Sequence, residues 1–170
     1  WSGDIDPSFE ELHIQVRAGV NMGLSGIPWW TADIGGFFGG FHEDPSFREL
    51  LIRWFQFGAF CPLFRSHGFR EPMVRIPTLH GGPNEVWSFG EKVYGILKEF
   101  LFLRERLRPY IMEQMRVASN VGAPPMRPLF FNFPKDLASY NIEDQFMFGP
   151  DLLIAPVTEE GAVSRTVYLP

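Results

Sequence analysis

A helix, then a short apolar run, then a polar tip: this order repeats through the first part of the chain and restricts its fold more than any other feature. Ser8 and Glu11 have capping-box spacing, and Leu12, Val16 and Val20 recur on one face, which predicts a helix from Phe9 to about Gly23. Ile27–Ala32 then reads as a short buried strand, stopped by Asp33 and two glycines. After a Gly-rich loop over Phe38–Asp44, a second helix is expected near Pro45, with Ser46 and Glu49 as another capping box. Its apolar face is Phe47, Leu50, Leu51, Trp54 and Phe55. Pro62–Phe64 is the next strand candidate and delivers Arg65, Ser66 and His67 at its end. Such alternation is the grammar of a (β/α) barrel, whose functional loops follow the C-terminal ends of the strands. Asp4, Asp33 and His67 would then share one mouth. Three units are too few to close a barrel of eight, and alone they would leave strand edges and apolar faces bare.

Several Gly and Pro between 68 and 84 predict a long surface loop, followed by a helix over roughly Glu85–Ala118. Leu97, Leu101, Leu107, Ile111 and Met115 mark its apolar stripe, and Pro109 is expected to kink it. Beyond Gly122 the texture changes to short apolar runs divided by Pro, Gly and Asp: Met126–Phe131, Gln145–Phe148, Leu152–Val157 and Thr166–Leu169. These read as antiparallel strands. The boundary between the two regions is expected within 135–145, giving units of 1–140 and 141–170.

The polar tips carry the chemistry. Trp1-Ser2-Gly3-Asp4 and Trp29-Trp30-Thr31-Ala32-Asp33-Ile34-Gly35-Gly36-Phe37 each set an aspartate beside glycines and aromatic rings. Aromatic faces stack on sugar rings, and a nearby carboxylate can accept hydroxyl hydrogen bonds or move protons. Aromatic residues reach 16% of the chain, which fits a sugar-lined cleft, a large interior, or both. The net charge of −5 contains no block of like charges, which argues against nucleic acid or an anionic membrane as partner. No apolar run approaches the roughly 20 residues that span a bilayer. The single Cys61 excludes an intrachain disulfide and a multi-cysteine metal site; between Phe60 and Pro62 it reads as a buried structural thiol. His42, Glu43 and Asp44 are adjacent, and adjacent residues seldom make a ligand set, so neither metal nor cofactor is expected.

Plainer alternatives stand beside each choice. Gly3-Asp4 can be a turn, Asp33 a loop cap, and His67 a satisfied core histidine. Phe37 and Trp30 divide between core and cleft. Strand alternation puts Trp29 and Trp30 on opposite faces, so at most one faces inward.

Six segments in one order carry a resemblance to glycoside hydrolase family 31, the retaining α-glucosidases and α-xylosidases: Trp1-Ser2-Gly3-Asp4, Asp33–Phe37, Arg53–Gly58, Phe64-Arg65-Ser66-His67, Met126–Leu129, and Phe146–Gly149 followed by Leu152–Val157. The resemblance implies the α/β fold of the second half of a (β/α)8 TIM barrel, running into the first strands of an all-β C-terminal domain. It implies Asp4 as general acid/base, with Trp1 as a cleft tryptophan. Asp33 and His67 match residues that bind sugar hydroxyls, Phe37 an aromatic beside that sugar, and Arg65 a residue that orients a carboxylate. The partner implied is an oligosaccharide or other α-glycoside. A retaining enzyme needs a second carboxylate about 5–5.5 Å from the acid/base. The family's nucleophile motif precedes the one at Trp1, so the chain is expected to be a piece of a larger enzyme and inactive alone. Transglycosylation, a non-catalytic carbohydrate-binding or assembly role, and self-association of the piece remain as alternatives. Nothing separates glucoside from xyloside preference, or a periplasmic, extracellular or cytoplasmic location.

Overall fold

The computed structural model describes residues 1–75 and 79–170. Helix α1 spans Phe9–Leu24, and the Ser8 hydroxyl accepts from the Glu11 amide at 3.1 Å as its cap. The reciprocal half of the capping box is absent, because the Glu11 carboxylate accepts from Gln15 Nε2 instead. Helix α2 spans Pro45–Gly58 and is capped by Asp44, not by the Ser46/Glu49 pair: the Asp44 carboxylate accepts from the Ser46 amide at 3.0 Å. An ionised side chain just ahead of a proline at the first helical position takes the free amides first. Glu49 is thereby left to accept from the Gly161 amide at 2.9 Å.

The two expected buried strands, Ile27–Ala32 and Pro62–Phe64, are not regular strands. They lie side by side, joined by two bonds spaced as in a parallel ladder: Leu63 N–H to Trp30 O and Ile34 N–H to Arg65 O, each 3.3 Å. Two slanted bonds are too few to make a continuous ladder, so the pairing stops short of a regular strand. Regular pairing appears instead where loops were expected. Strand β1 (Phe38–Phe41) runs parallel to β2 (Phe69–Arg75), which pairs antiparallel with β3 (Leu79–Gly82). The expected surface loop over 68–84 is therefore largely a hairpin; its residues 76–78 lie outside the described residues.

The expected helix from Glu85 is divided. A 3-10 turn covers Val86–Phe89, and α3 spans Glu91–Val121, continuous through Pro109 and closed by left-handed Gly122. Val93, Leu97, Ile111 and Met115 are buried, but Leu101 is 38% exposed. At 3.6 residues per turn it lies about 80° from the centre of the buried stripe.

A second sheet is antiparallel in the order β4 (Met126–Arg127), β5 (Phe146–Phe148), β6 (Leu152–Ile154). Only the first two residues of the Met126–Phe131 run form a strand, since Leu129–Asn132 turns into a short helix, α4. Thr166–Leu169 is not a strand either. The Gln145 side chain takes the place of a neighbouring backbone there, accepting from Tyr168 N–H at 2.8 Å and donating to Tyr168 O at 2.9 Å.

One core joins these parts. Phe57 of α2 packs against Trp30 and Trp54, and edge-to-face on Phe146 of β5 at 6.1 Å. Arg104 of α3 donates to the carbonyls of Ala59, Cys61 and Pro62, fixing the chain that leads out of α2 toward Arg65 and His67.

Candidate active site

The turn after Trp30 is the base of the site. Trp30 through Gly36 are all buried, and within this stretch Asp33 is 0% exposed. Its carboxylate meets Arg65 Nε at 3.2 Å, yet neither oxygen has a hydrogen-bond partner among the described residues. Burial pushes the Asp33 carboxyl above its ordinary value; the Asp4 carboxylate adds to this, and Arg65, His67 and Arg70 oppose it without cancelling it. A buried, charged acceptor with free lone pairs is built to receive donors from outside the protein.

The other candidates gather around it. Phe37 and His67 pack with ring centroids 5.2 Å apart. The Arg65 guanidinium bridges from Asp33 to Trp1, lying 5.2 Å from the centroid of the indole. The segment bearing Asp4 is bound to the turn by Phe37 N–H donating to Ile5 O at 2.7 Å. Gly36 permits that approach. It has φ +78°, and a Cβ there would fall 2.6 Å from Pro7 N. Trp1, Asp4, Asp33, Phe37, Arg65 and His67 thus lie around one turn, with Asp33, Arg65 and His67 following the two paired runs. Asp4 is exposed and Trp1 is 62% exposed, so this chain closes no apolar wall over the Asp4 carboxyl.

Sequence reasoning passed over Arg70 and Asn84. Arg70 is wholly buried and donates to carbonyls of the Asp33 turn and to Asn84. Its sole sequence signal is a charge in a short run between Gly68 and Pro72, which reads as a polar loop residue. Trp30 is buried and Trp29 exposed, so one of the pair faces inward, although burial does not alternate along the rest of this run. Cys61 is buried, and burial pushes its thiol up to about 12, which removes it as a nucleophile at neutral pH. No group of His, Cys, Asp and Glu among the described residues could hold a metal ion. No helix among them is long and apolar enough to cross a membrane. A groove of about 820 Å3, lined in part by Trp29, Leu63, Ile111 and Met112, contains none of the six candidates.

Carboxylates, an imidazole, a guanidinium and aromatic rings gather around the Asp33 turn, groups able to hydrogen-bond hydroxyls, move protons and stack on apolar ring faces. Comparison with known proteins gives the family. Residues 1–114 match the TIM-barrel domain of glycosyl hydrolases family 31 and residues 122–170 match that family's C-terminal domain; the chain belongs to this family. An α-xylosidase of Saccharolobus solfataricus is 39% identical over the whole chain, which covers 22% of that relative. The α-xylosidase of a soil metagenome, solved with xylose, is 57% identical with a TM-score of 0.96 over the whole chain and 26% of that structure. The Flavobacterium johnsoniae dextranase, solved with glucose, is 36% identical with a TM-score of 0.86 over the whole chain and 20% of that structure. The chain therefore spans about a quarter or less of these relatives' lengths. The fold is that family's TIM-barrel segment followed by its C-terminal domain.

Proposed function

We propose that this chain supplies the acid/base side of a retaining α-glycosidase acting on terminal α-linked xylose or glucose. The observation that carries the proposal is Asp33, fully buried amid Asp4, Arg65, His67 and Phe37, with an ion pair to Arg65 but no hydrogen bond to either oxygen among the described residues. In this reading Asp33 and His67 take hydroxyl groups of the terminal sugar, Phe37 and Trp1 cover its apolar faces, and Arg65 holds the Asp33 carboxylate in place. Asp4 first donates its proton to the departing glycosidic oxygen while a second carboxylate attacks the anomeric carbon. Asp4 then takes a proton from the water that attacks the anomeric carbon and breaks the glycosyl-enzyme bond; this second inversion leaves the overall configuration retained. The attacking carboxylate is assigned to chain outside these 170 residues. Xylose gains support from the xylose-bound relative at 57% identity.

Taken alone, the 170 residues are proposed to be inactive and to self-associate through exposed Trp29, Leu63 and Met112. The test joins the chain to the upstream half-barrel of a family 31 relative and follows hydrolysis of aryl α-xylosides and α-glucosides. The joined protein is expected to turn over, and the isolated chain not. Asp4→Ala should lower turnover of poor leaving groups by roughly 100-fold or more, and much less with an activated phenol. Unchanged turnover in Asp4→Ala would reject the assignment.

A further inference from the structure

Arg70 is a charged side chain with 0% exposure that no step above uses. Five acceptors surround its fork. Nη1 donates to the carbonyls of Gly35 at 3.1 Å, Gly36 at 2.9 Å and Gly39 at 3.2 Å. Nη2 donates to Ile34 O at 2.8 Å, and Nε to Asn84 Oδ1 at 2.7 Å. The guanidinium also lies 5.0 Å from the Phe47 ring centroid, and a Cβ on Gly68 would fall 2.5 Å from its Cζ. Burying a cation is costly unless its donors are used. Here they are spent on four carbonyls of one short turn, the turn that begins beside Asp33 and contains Phe37. A lysine could keep the charge but not this planar arrangement of donors.

We infer that Arg70 is a positioning residue for sugar binding: its guanidinium gathers the carbonyls of Ile34, Gly35, Gly36 and Gly39, fixing the Asp33 turn against the start of β1, and through Asn84 ties it to the end of the β2–β3 hairpin. The aim of the Asp33 carboxylate and the Phe37 ring then depends on a side chain that never touches sugar. This inference rests on the function proposed above. The charged groups facing Asp33 are Arg65, His67, Asp4 and Arg70 itself, so loss of Arg70 also removes one of the cations that favour the ionised carboxylate.

Kinetics of the full-length enzyme on an aryl α-xyloside test it, together with amide exchange. Arg70→Met is expected to lower kcat/KM by roughly 10- to 100-fold, mainly through KM, since displacement by 1 Å suffices for losses of that order. It should also move the acid limb of the KM profile to higher pH. Arg70→Lys keeps the charge without the fork, so it should restore that limb while KM stays raised. Exchange at the Gly36 and Phe37 amides, which donate to Asp33 O and Ile5 O, should quicken in both variants. Asn84→Ala leaves the four carbonyl bonds intact and should shift KM the same way by less; it decides the matter if neither Arg70 variant folds. Wild-type KM with unchanged exchange in Arg70→Met, or in Asn84→Ala where that variant decides, overturns the inference. A wild-type enzyme with no glycosidase activity overturns the proposed function instead, and the exchange rates still judge Arg70.

Discussion

A carboxylate held at 0% exposure without a hydrogen bond is an expense to the fold that a ligand can repay, and Asp33 is such a group. Its proton affinity is raised in the folded chain, so above that raised value the native state bears a penalty that the unfolded chain does not. The penalty fades as pH falls through the folded value toward 3.8, where both states bind the proton. Asp33→Asn should accordingly raise stability near neutral pH by about 1 kcal/mol, because its ion-pair partner Arg65 is partly solvated and is not left as a buried orphan. Urea midpoints between pH 4 and 8 would show the advantage shrinking on acidification. The same substitution should weaken xylose binding roughly 100-fold, as expected when charge-assisted hydrogen bonds are lost. Stability and affinity moving in opposite directions would mark Asp33 as a binding group rather than a loop cap.

Among the elements, α3 does most to hold the others. Arg104 closes three carbonyls at the exit of α2, and Arg104→Met would leave them without that donor. A loss of about 2–3 kcal/mol is expected in chemical denaturation, with weakened sugar binding because the freed segment leads to Arg65 and His67. What the sequence disclosed at this scale follows from which forces are local. α1 and α2 were legible because a 3.6-residue apolar period acts within one segment, helped by the Ser8 cap of α1 and Pro45 at the start of α2, although the cap of α2 is Asp44 and not the Ser46/Glu49 pair. Among the candidates, Asp33, Arg65 and His67 were legible because each follows an apolar run, and Trp1, Asp4 and Phe37 because an aspartate sits beside glycine and an aromatic ring. β1, β2 and β3 were not, since FGGF and the stretch after Gly68 carry loop-type composition; β1 gains order from pairing with β2 some 30 residues on, and β2 and β3 from a hairpin whose Gly and Pro content reads as loop. The Gln145–Tyr168 pairing was hidden for the same reason: a side chain 23 residues away supplies what a strand would. Arg70 illustrates the limit for the site, because its role lies in carbonyls it reaches 31 to 36 residues back.

Across the whole molecule, aromatic packing makes the barrel segment and the β4–β6 sheet one core. Phe57 contributes rings to both sides, against Trp30 and Trp54 on one and Phe146 on the other. Phe57→Ala should cost about 3–5 kcal/mol in the folded protein. It should also uncouple the two parts, so that near-UV and far-UV signals, coincident before, separate along the denaturation curve. At about 1.5 Å per residue, α3 is a rod some 46 Å long. Near its middle Arg104 grips the approach to His67, and one turn and a half later the Tyr110 hydroxyl donates to Phe148 O in the second sheet. Both grips lie on one unbroken helix, which ties the C-terminal sheet to the segment leading to His67. On the proposed function, a sugar would then meet walls set before it arrives, and selectivity would fall to the shape of the opening rather than to a closing stroke of this part of the protein.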